Sequence, residues 1–448
     1  MTSSSSPTPA APVPQDTGSG ASAEPPQATG SWRAVLREPR FARVWASQLT
    51  SSLGDQVFPF AIATNLLIDD HSVTGFGTVL AARALGMALC VLIGGVVADR
   101  FPRARIMASV DVLRTVVVGA AAIAAIGSPT WVLALLVLLV GAGEAFFDPA
   151  YESLLPRLLP KHQLEAANSL TTATERTLGV LGPTVAGAAV AVLGARSALL
   201  FDAVTFAISA ALLLGVREKK VVRAQDASGS LLGEVAVGFR EARARPWVWA
   251  VLLMSVFHMM TTVPVWFVLL PDRLLETKAD TIGYGVVMAA FSAGALAGGI
   301  LVRRGRRTGS GTFALVALLP FGLAVALLGV TTSVPLLAVA AVPGGAGLAV
   351  FQVLWMSALQ RHIPDEFLGR IMSLDWLSST AAAPLGYALV GLALAGVPVW
   401  VITLTGAVLF VMSTLAPLLI AGVREFGGPA APADPAPART RLPEPETG

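Results

Sequence analysis

Gly94-Gly95-Val96-Val97-Ala98-Asp99-Arg100-Phe101-Pro102-Arg103-Ala104-Arg105 closes one long apolar run and opens the next. Glycine at 95 permits close approach of a second helix. Asp99 places an acid at a helix end, where it can meet the positive N-terminus of another helix. Arg100, Arg103 and Arg105 hold the turn out of the bilayer. Positive charge alone would mark only a loop retained on the cytoplasmic side. The ordered sequence of glycine, acid, arginine and arginine asks for more than that.

Outward from this turn, apolar runs of about twenty residues, the length needed to cross a hydrocarbon core, recur along most of the chain. Of the 448 residues, 54% are hydrophobic and only 13% charged, and the mean hydropathy is +0.71. Twelve spans are expected, at 43–66, 75–98, 105–127, 130–149, 170–193, 196–215, 247–270, 282–302, 312–331, 334–357, 371–394 and 397–421. Basic residues alternate between the connections. One set carries Arg33, Arg37, Arg40 and Arg43, then the 100–105 turn, Arg157 and Lys161, a middle linker with Arg217, Lys219, Lys220, Arg223, Arg240, Arg243 and Arg245, then Arg303 to Arg307, Arg361 and Arg370. The other set offers Arg196, Arg273 and Lys278. Both termini are therefore expected in the cytoplasm. The net charge of +3 follows from these loops and calls for no nucleic acid partner.

The 100–105 turn has a counterpart. Gly95, Arg100 and Arg103 match Gly299, Arg304 and Arg307, each 204 residues on. Arg157, Pro160, Leu164, Ser169 and Leu170 match Arg361, Pro364, Leu368, Ser373 and Leu374 at the same offset. Duplicated halves related by an axis along the membrane normal are a transporter architecture, with the substrate site between them near the midplane. The expectation is an all-α polytopic membrane protein whose twelve helices form two pseudo-symmetric six-helix bundles, 33–215 and 247–422. Between them lies a cytoplasmic linker, 216–246, in which alternating Leu231, Leu232, Val235, Val237 and Phe239 suggest an amphipathic interfacial helix. The tails 1–32 and 423–448, rich in Ser, Pro, Ala and Gly, read as disordered.

The 95–103 segment resembles motif A of the major facilitator superfamily, G-x-x-x-D-R-x-x-R. In the second half Arg303 replaces the acid, so only the first copy is intact; Pro102 stands where the family usually has glycine. Four further segments resemble the drug:proton antiporter branch that includes macrolide and siderophore exporters. These are Ser51-Ser52-Leu53-Gly54-Asp55, then Phe146-Phe147-Asp148-Pro149-Ala150 with Leu154-Leu155-Pro156 and Ala166 to Leu170, then Gly179-Val180-Leu181-Gly182-Pro183-Thr184-Val185-Ala186-Gly187, and Gln360 to Arg370. The likeness spans roughly residues 38–422. The Gly179, Gly182, Pro183 and Gly187 set is similar to the family's motif C, associated with exporters. Gly182 there admits a close neighbour, and Pro183 removes a backbone donor and kinks the helix. The resemblance implies alternating access, protons as coupling ion, a small organic substrate and a gate at Gly95, Asp99, Arg100 and Arg103. Asp148 is its expected acidic partner, through Arg103.

Ionisable residues at membrane depth are costly and usually pair or face an aqueous cavity. Asp55 and Arg83 lie at similar depth on adjacent spans, so a structural pair and a proton-carrying Asp55 are both open. Glu144, four residues before Asp148, is the deeper acid and a second candidate for protons or substrate. Asp111 and Arg114 share a helix face. Gln352 is a polar anchor candidate among Phe58, Phe60, Phe257, Trp266, Phe291, Trp355 and Trp376. Glu175, Arg176, Asp202, Asp375 and His258 rank below these.

Chemistry on the cargo has little support. No phosphate-binding G-x-x-x-x-G-K-[ST] loop occurs, the four histidines lack metal-ligand spacing, and the single Cys90 excludes a disulfide. No cofactor or metal is expected. The reading is a monomeric secondary transporter of a bacterial inner membrane, exporting a small amphipathic compound against protons. A proton symporter importing a nutrient and a non-transporting receptor or scaffold are the alternatives.

Overall fold

In hydrocarbon every peptide group must find its partner within the protein, and an α-helix closes those bonds inside one segment. The computed structural model describes residues 32–69, 72–124, 128–216, 218, 239–275, 280–303 and 310–426, and all regular structure among them is helical. The expected tails and the linker's amphipathic helix fall almost entirely outside the described residues.

After a short α1 (Trp32–Leu36) come α2 (Pro39–Ala63), which runs into a π-helical stretch Thr64–Asp69, α3 (Val73–Arg100), α4 (Arg103–Ala124), α5 (Thr130–Leu158) and α6 (Lys161–Leu213). The second half holds α7 (Pro246–Thr261), α8 (Val263–Leu274), α9 (Thr281–Arg303), α10 (Ser310–Leu327), α11 (Val334–His362), α12 (Asp365–Thr380), α13 (Ala383–Ala393) and α14 (Val399–Leu415). Among the described residues helix occupies most of each of the twelve expected spans, with several divided or joined differently. Span seven is broken between α7 and α8, and span eleven between α12 and α13. Spans five and six run together in α6. Among the described residues eight stretches are both long and apolar enough to cross a membrane; α2 is not among them and α10 is shorter. Polar Ser47, Gln48, Thr50, Ser51, Ser52 and Asp55 dilute α2.

The repeat is written into the helix starts. Thr130–Leu158 and Val334–His362 begin and end 204 positions apart, and Lys161 stands in the same relation to Asp365. Pro160 and Pro364 both cap their helices in extended conformation. Gly194 occupies the place of Pro398, which precedes α14. Its φ of 78° and ψ of 161° break α6 there, in a region open almost only to glycine. The backbone remains helical through Pro183.

Glycines set how the helices pack. A Cβ on Gly141 would run into the Arg83 carbonyl, and one on Gly86 into the Leu138 carbonyl, so α3 and α5 lie backbone to backbone. Gly294 against Val342 and Gly345 against Phe291 do the same for α9 and α11. Contacts joining the halves gather at the end bearing Asp69, Leu275 and the turn 394–398. Gly187 meets the Thr281 carbonyl, Gly285 meets that of Pro183, and Gly77 abuts Gly391. Thr74 Oγ1 donates to the Gly391 carbonyl at 3.1 Å, and Phe60 packs on Tyr284 with centroids 4.4 Å apart. Around the outside, residues such as Val116, Val192, Leu323, Val339 and Met412 are exposed, an apolar surface suited to lipid rather than water.

Candidate functional site

The close α3–α5 junction decides the partner of the arginine at membrane depth. Arg83 reaches Glu144 on α5, with Nη2 donating to Oε1 at 2.6 Å and Nε to the same oxygen at 3.1 Å. The Asp55–Arg83 pair is thus not the contact formed. Gly86 and Gly141 draw α3 against α5, one turn from both charged residues, and leave Asp55 on α2 as a neighbour. Asp55 is half-buried, and the charges acting on it are Arg114, Glu144 and Arg83. The Arg83 guanidinium also stands 5.8 Å from the Phe58 ring centroid.

One turn further along α5, Arg114 is buried between the rings of Phe147 and Phe206, at 5.1 and 5.2 Å. Its expected pairing with Asp111 is loose, at 4.0 Å. Asp111 takes its short hydrogen bond from Ser209 Oγ instead, at 2.5 Å, and Ser209 lies 2.7 Å from Ser47 Oγ. The first cation acting on Asp148 is likewise Arg114. Arg103, buried, donates from Nε to Ser153 Oγ at 3.0 Å, so its visible anchor on α5 lies five residues beyond Asp148. Gly95, Asp99 and Arg100 occupy the last turns of α3; the side chains of Asp99 and Arg100 lie outside the described residues.

The Gly179–Gly187 segment faces two neighbours. Gly182 makes room for the Gln56 side chain of α2, Gly187 receives the start of α9, and Gly179 has open space beside it. An apolar groove of about 350 Å³ runs between α2 and α6 here, with Gln56, Leu181 and Val185 in its wall. Gln352 is exposed on α11. Trp266 and Trp355 are fully buried, and Trp355 Nε1 donates to Asp375 at 2.8 Å, so both serve packing. His258 bonds Ser413 and Thr414 at 3.0 and 3.2 Å beside Phe410. No group of three or more potential metal ligands occurs among the described residues.

Sequence reasoning ranked Asp202 low. The structure buries it completely against Gly54, in the same first-half cluster. The available signal was the polar face Asp202, Thr205, Ser209 on an otherwise apolar helix.

Duplicated helical halves with charges gathered between their helices are the architecture of many secondary transporters. Residues 44–386 match the family model of the Major Facilitator Superfamily, and the chain belongs to that family. It is 23% identical over 402 residues to macrolide efflux protein A of Streptococcus pyogenes, covering 85% of this chain and 96% of the relative. It is 26% identical to the multidrug efflux pump Tap of Mycolicibacterium fortuitum (77% and 86% covered), and 27% identical to the enterobactin exporter EntS of Shigella boydii (87% and 93%). Among solved structures, the nucleoside transporter NupG superimposes with a TM-score of 0.65 over 85% of this chain and 98% of that one, at 13% identity.

Proposed function

We propose that this transporter is a proton-coupled antiporter that exports a small amphipathic organic compound, of the drug, antibiotic, siderophore or other secondary-metabolite class. It works as a monomer in the bacterial inner membrane, with both termini cytoplasmic. The observation that carries this reading is the Arg83–Glu144 pair beside Asp55. A carboxylate that exchanges a guanidinium for a proton frees the arginine and changes what holds α3 to α5. Proton binding then favours one conformation over the other, which is what coupling requires. Export is supported by the efflux relatives and by the Gly179–Gly187 segment.

The bundles 33–215 and 247–422 rock about a central cavity, with the 216–246 linker between them. The glycine contacts at Gly77, Gly187 and Gly285 part as that end opens, and Gly95, Asp99, Arg100, Arg103 and Asp148 gate the cytoplasmic end. Protons entering down their gradient neutralise Asp55 or Glu144 as substrate leaves. Cargo passes chemically unchanged, so the chain is a carrier and not an enzyme.

Inverted membrane vesicles test this directly. With an acidic lumen, a panel of macrolides, fluorescent organic cations and catecholate siderophores should yield at least one compound that accumulates inside. A protonophore should abolish the accumulation. Absence of uptake across the panel by demonstrably folded protein, or accumulation of opposite sign, would overturn the reading.

A further inference from the structure

Asp202 lies on α6 with Thr205 and Ser209, spaced i, i+3 and i+7 so that all three share one helix face. Opposite, on α2, stand Ser47, Ser51 and Gly54. All five side chains of this seam other than glycine are buried. At its far end Ser209 bridges Ser47 and Asp111. At the near end Asp202 is wholly enclosed, and among the described residues neither carboxylate oxygen makes a well-formed hydrogen bond. Thr205 Oγ1 donates to the backbone carbonyl of residue 202, at 2.7 Å, and its hydroxyl also stands beside the carboxylate. The space for the carboxyl group exists because residue 54 is glycine: a Cβ there would run into both Asp202 Oδ1 and Thr205 Oγ1.

The charged groups that reach Asp202 come from three other helices: Asp55 on α2, Arg83 on α3 and Arg114 on α4. Arg83 is engaged by Glu144, and Arg114 sits between two phenylalanines. Asp111, on α4, ends the seam beyond Ser209. An ionised carboxylate enclosed in this way, with both arginines engaged elsewhere, is expensive to hold unless it takes up a proton or gains a further donor.

We propose that Asp202 is a proton-binding site of this protein, loaded across the α2–α6 seam from the side of Asp55. The step makes one O–H bond on a carboxylate oxygen, with the proton taken from water or from the Asp55 carboxyl group. Release to water at the opposite membrane face breaks the same bond, and no oxidant or other reactant takes part. Its place in transport rests on the proton-coupled reading above; proton binding itself does not.

The test uses the full chain in liposomes. Infrared difference spectra between acidic and neutral buffer should contain a carbonyl band from a protonated carboxylic acid. That band should vanish in Asp202→Asn and persist in Asp55→Asn. A band unchanged in Asp202→Asn, or no such band in the unsubstituted protein, overturns the proposal. If Asp202→Asn fails to fold, Gly54→Ala keeps the acid and crowds it, and should shift the pH at which the band appears; an unmoved band overturns the proposal. Uptake of ethidium driven by a pH gradient, measured in the same liposomes, separates the two readings. A band with no uptake of ethidium or of any compound in the panel above removes antiport and leaves the proton site standing. Uptake at full rate in Asp202→Asn removes Asp202 from the transport cycle.

Discussion

The two halves share a frame and differ in what they put into it. Gly141 and Gly345 stand 204 residues apart, and each lets a helix of the preceding hairpin approach its backbone. Leu138 and Val342, whose carbonyls face Gly86 and Gly294, hold the same relation. Yet Asp55, Asp111, Arg114, Glu144 and Asp202 stand 204 residues before Met259, Leu315, Leu318, Leu348 and Gly406, and Arg83, whose carbonyl faces Gly141, answers to Phe291, whose carbonyl faces Gly345. The first half is wired with charge. The second is filled with rings, Trp266, Phe291, Phe321 and Phe410, whose neighbouring centroids are 5.4–6.1 Å apart. Packing at the crossings is what duplication preserved, because glycine against a carbonyl leaves no alternative residue. Charges were free to diverge: the second half keeps buried Asp375, bonded to Trp355, and His258, but apolar residues at the places of Arg83 and Glu144.

The sharpest way to break this comparison is to give the first half apolar residues like those of the second. Glu144→Leu alone should cost about 1.5–3 kcal/mol, since it leaves the partly exposed Arg83 without its anion. Arg83→Val with Glu144→Leu should recover most of that, because removing both partners leaves no unpaired charge. Thermal melts in detergent would read both. Transport driven by a pH gradient should be absent in the double variant despite its restored stability. If it survives, the charge pair is structural and the halves differ only by drift.

A smaller effect separates frame from chemistry. Gly141→Val and Gly345→Val should each destabilise by about 1–3 kcal/mol or more, the usual cost of overpacking. Only Gly141→Val moves the helix that carries Arg83, so only it should also lower transport per folded molecule. Equal losses of specific activity would argue that both crossings act mechanically. Lower still is Trp355→Phe, which leaves the Asp375 carboxylate without its indole donor. About 1–3 kcal/mol of stability should go, with no change in the dependence of transport on the pH gradient.

Much of this frame was legible before any coordinates. Apolar runs located the helices, because a bilayer accepts few other backbones, and two loops sharing one offset revealed the repeat. Pairings were not legible. Asp55 and Arg83 looked like partners by depth and chain order, but glycine contacts at Gly86 and Gly141 choose which helix Arg83 touches. Those are backbone approaches, and they carry no charge signal to read. Arg103 likewise finds Ser153, a residue without a motif. The seam at Asp202 was hidden for a different reason: its polar atoms are distributed over α2, α4 and α6, and each helix alone contributes only a few hydroxyls and acids.

His258 offers the finest test of where ionisable chemistry resides, since it is the one titratable ring in the second half's aromatic cluster. Its Nε2 lies within hydrogen-bond distance of Ser413 and Thr414, and its ring stacks 4.2 Å from Phe410. Ser413 also bonds the carbonyls of Leu409 and Phe410, so removing the imidazole orphans little. His258→Gln should therefore cost only about 0.5–1.5 kcal/mol, one ordinary hydrogen bond. The pH profile of transport should superimpose on that of the unsubstituted protein. A displaced profile would place a proton-responsive group in the half that carries no buried counterpart of Arg83 and Glu144. Ion coupling would then have to run through both bundles.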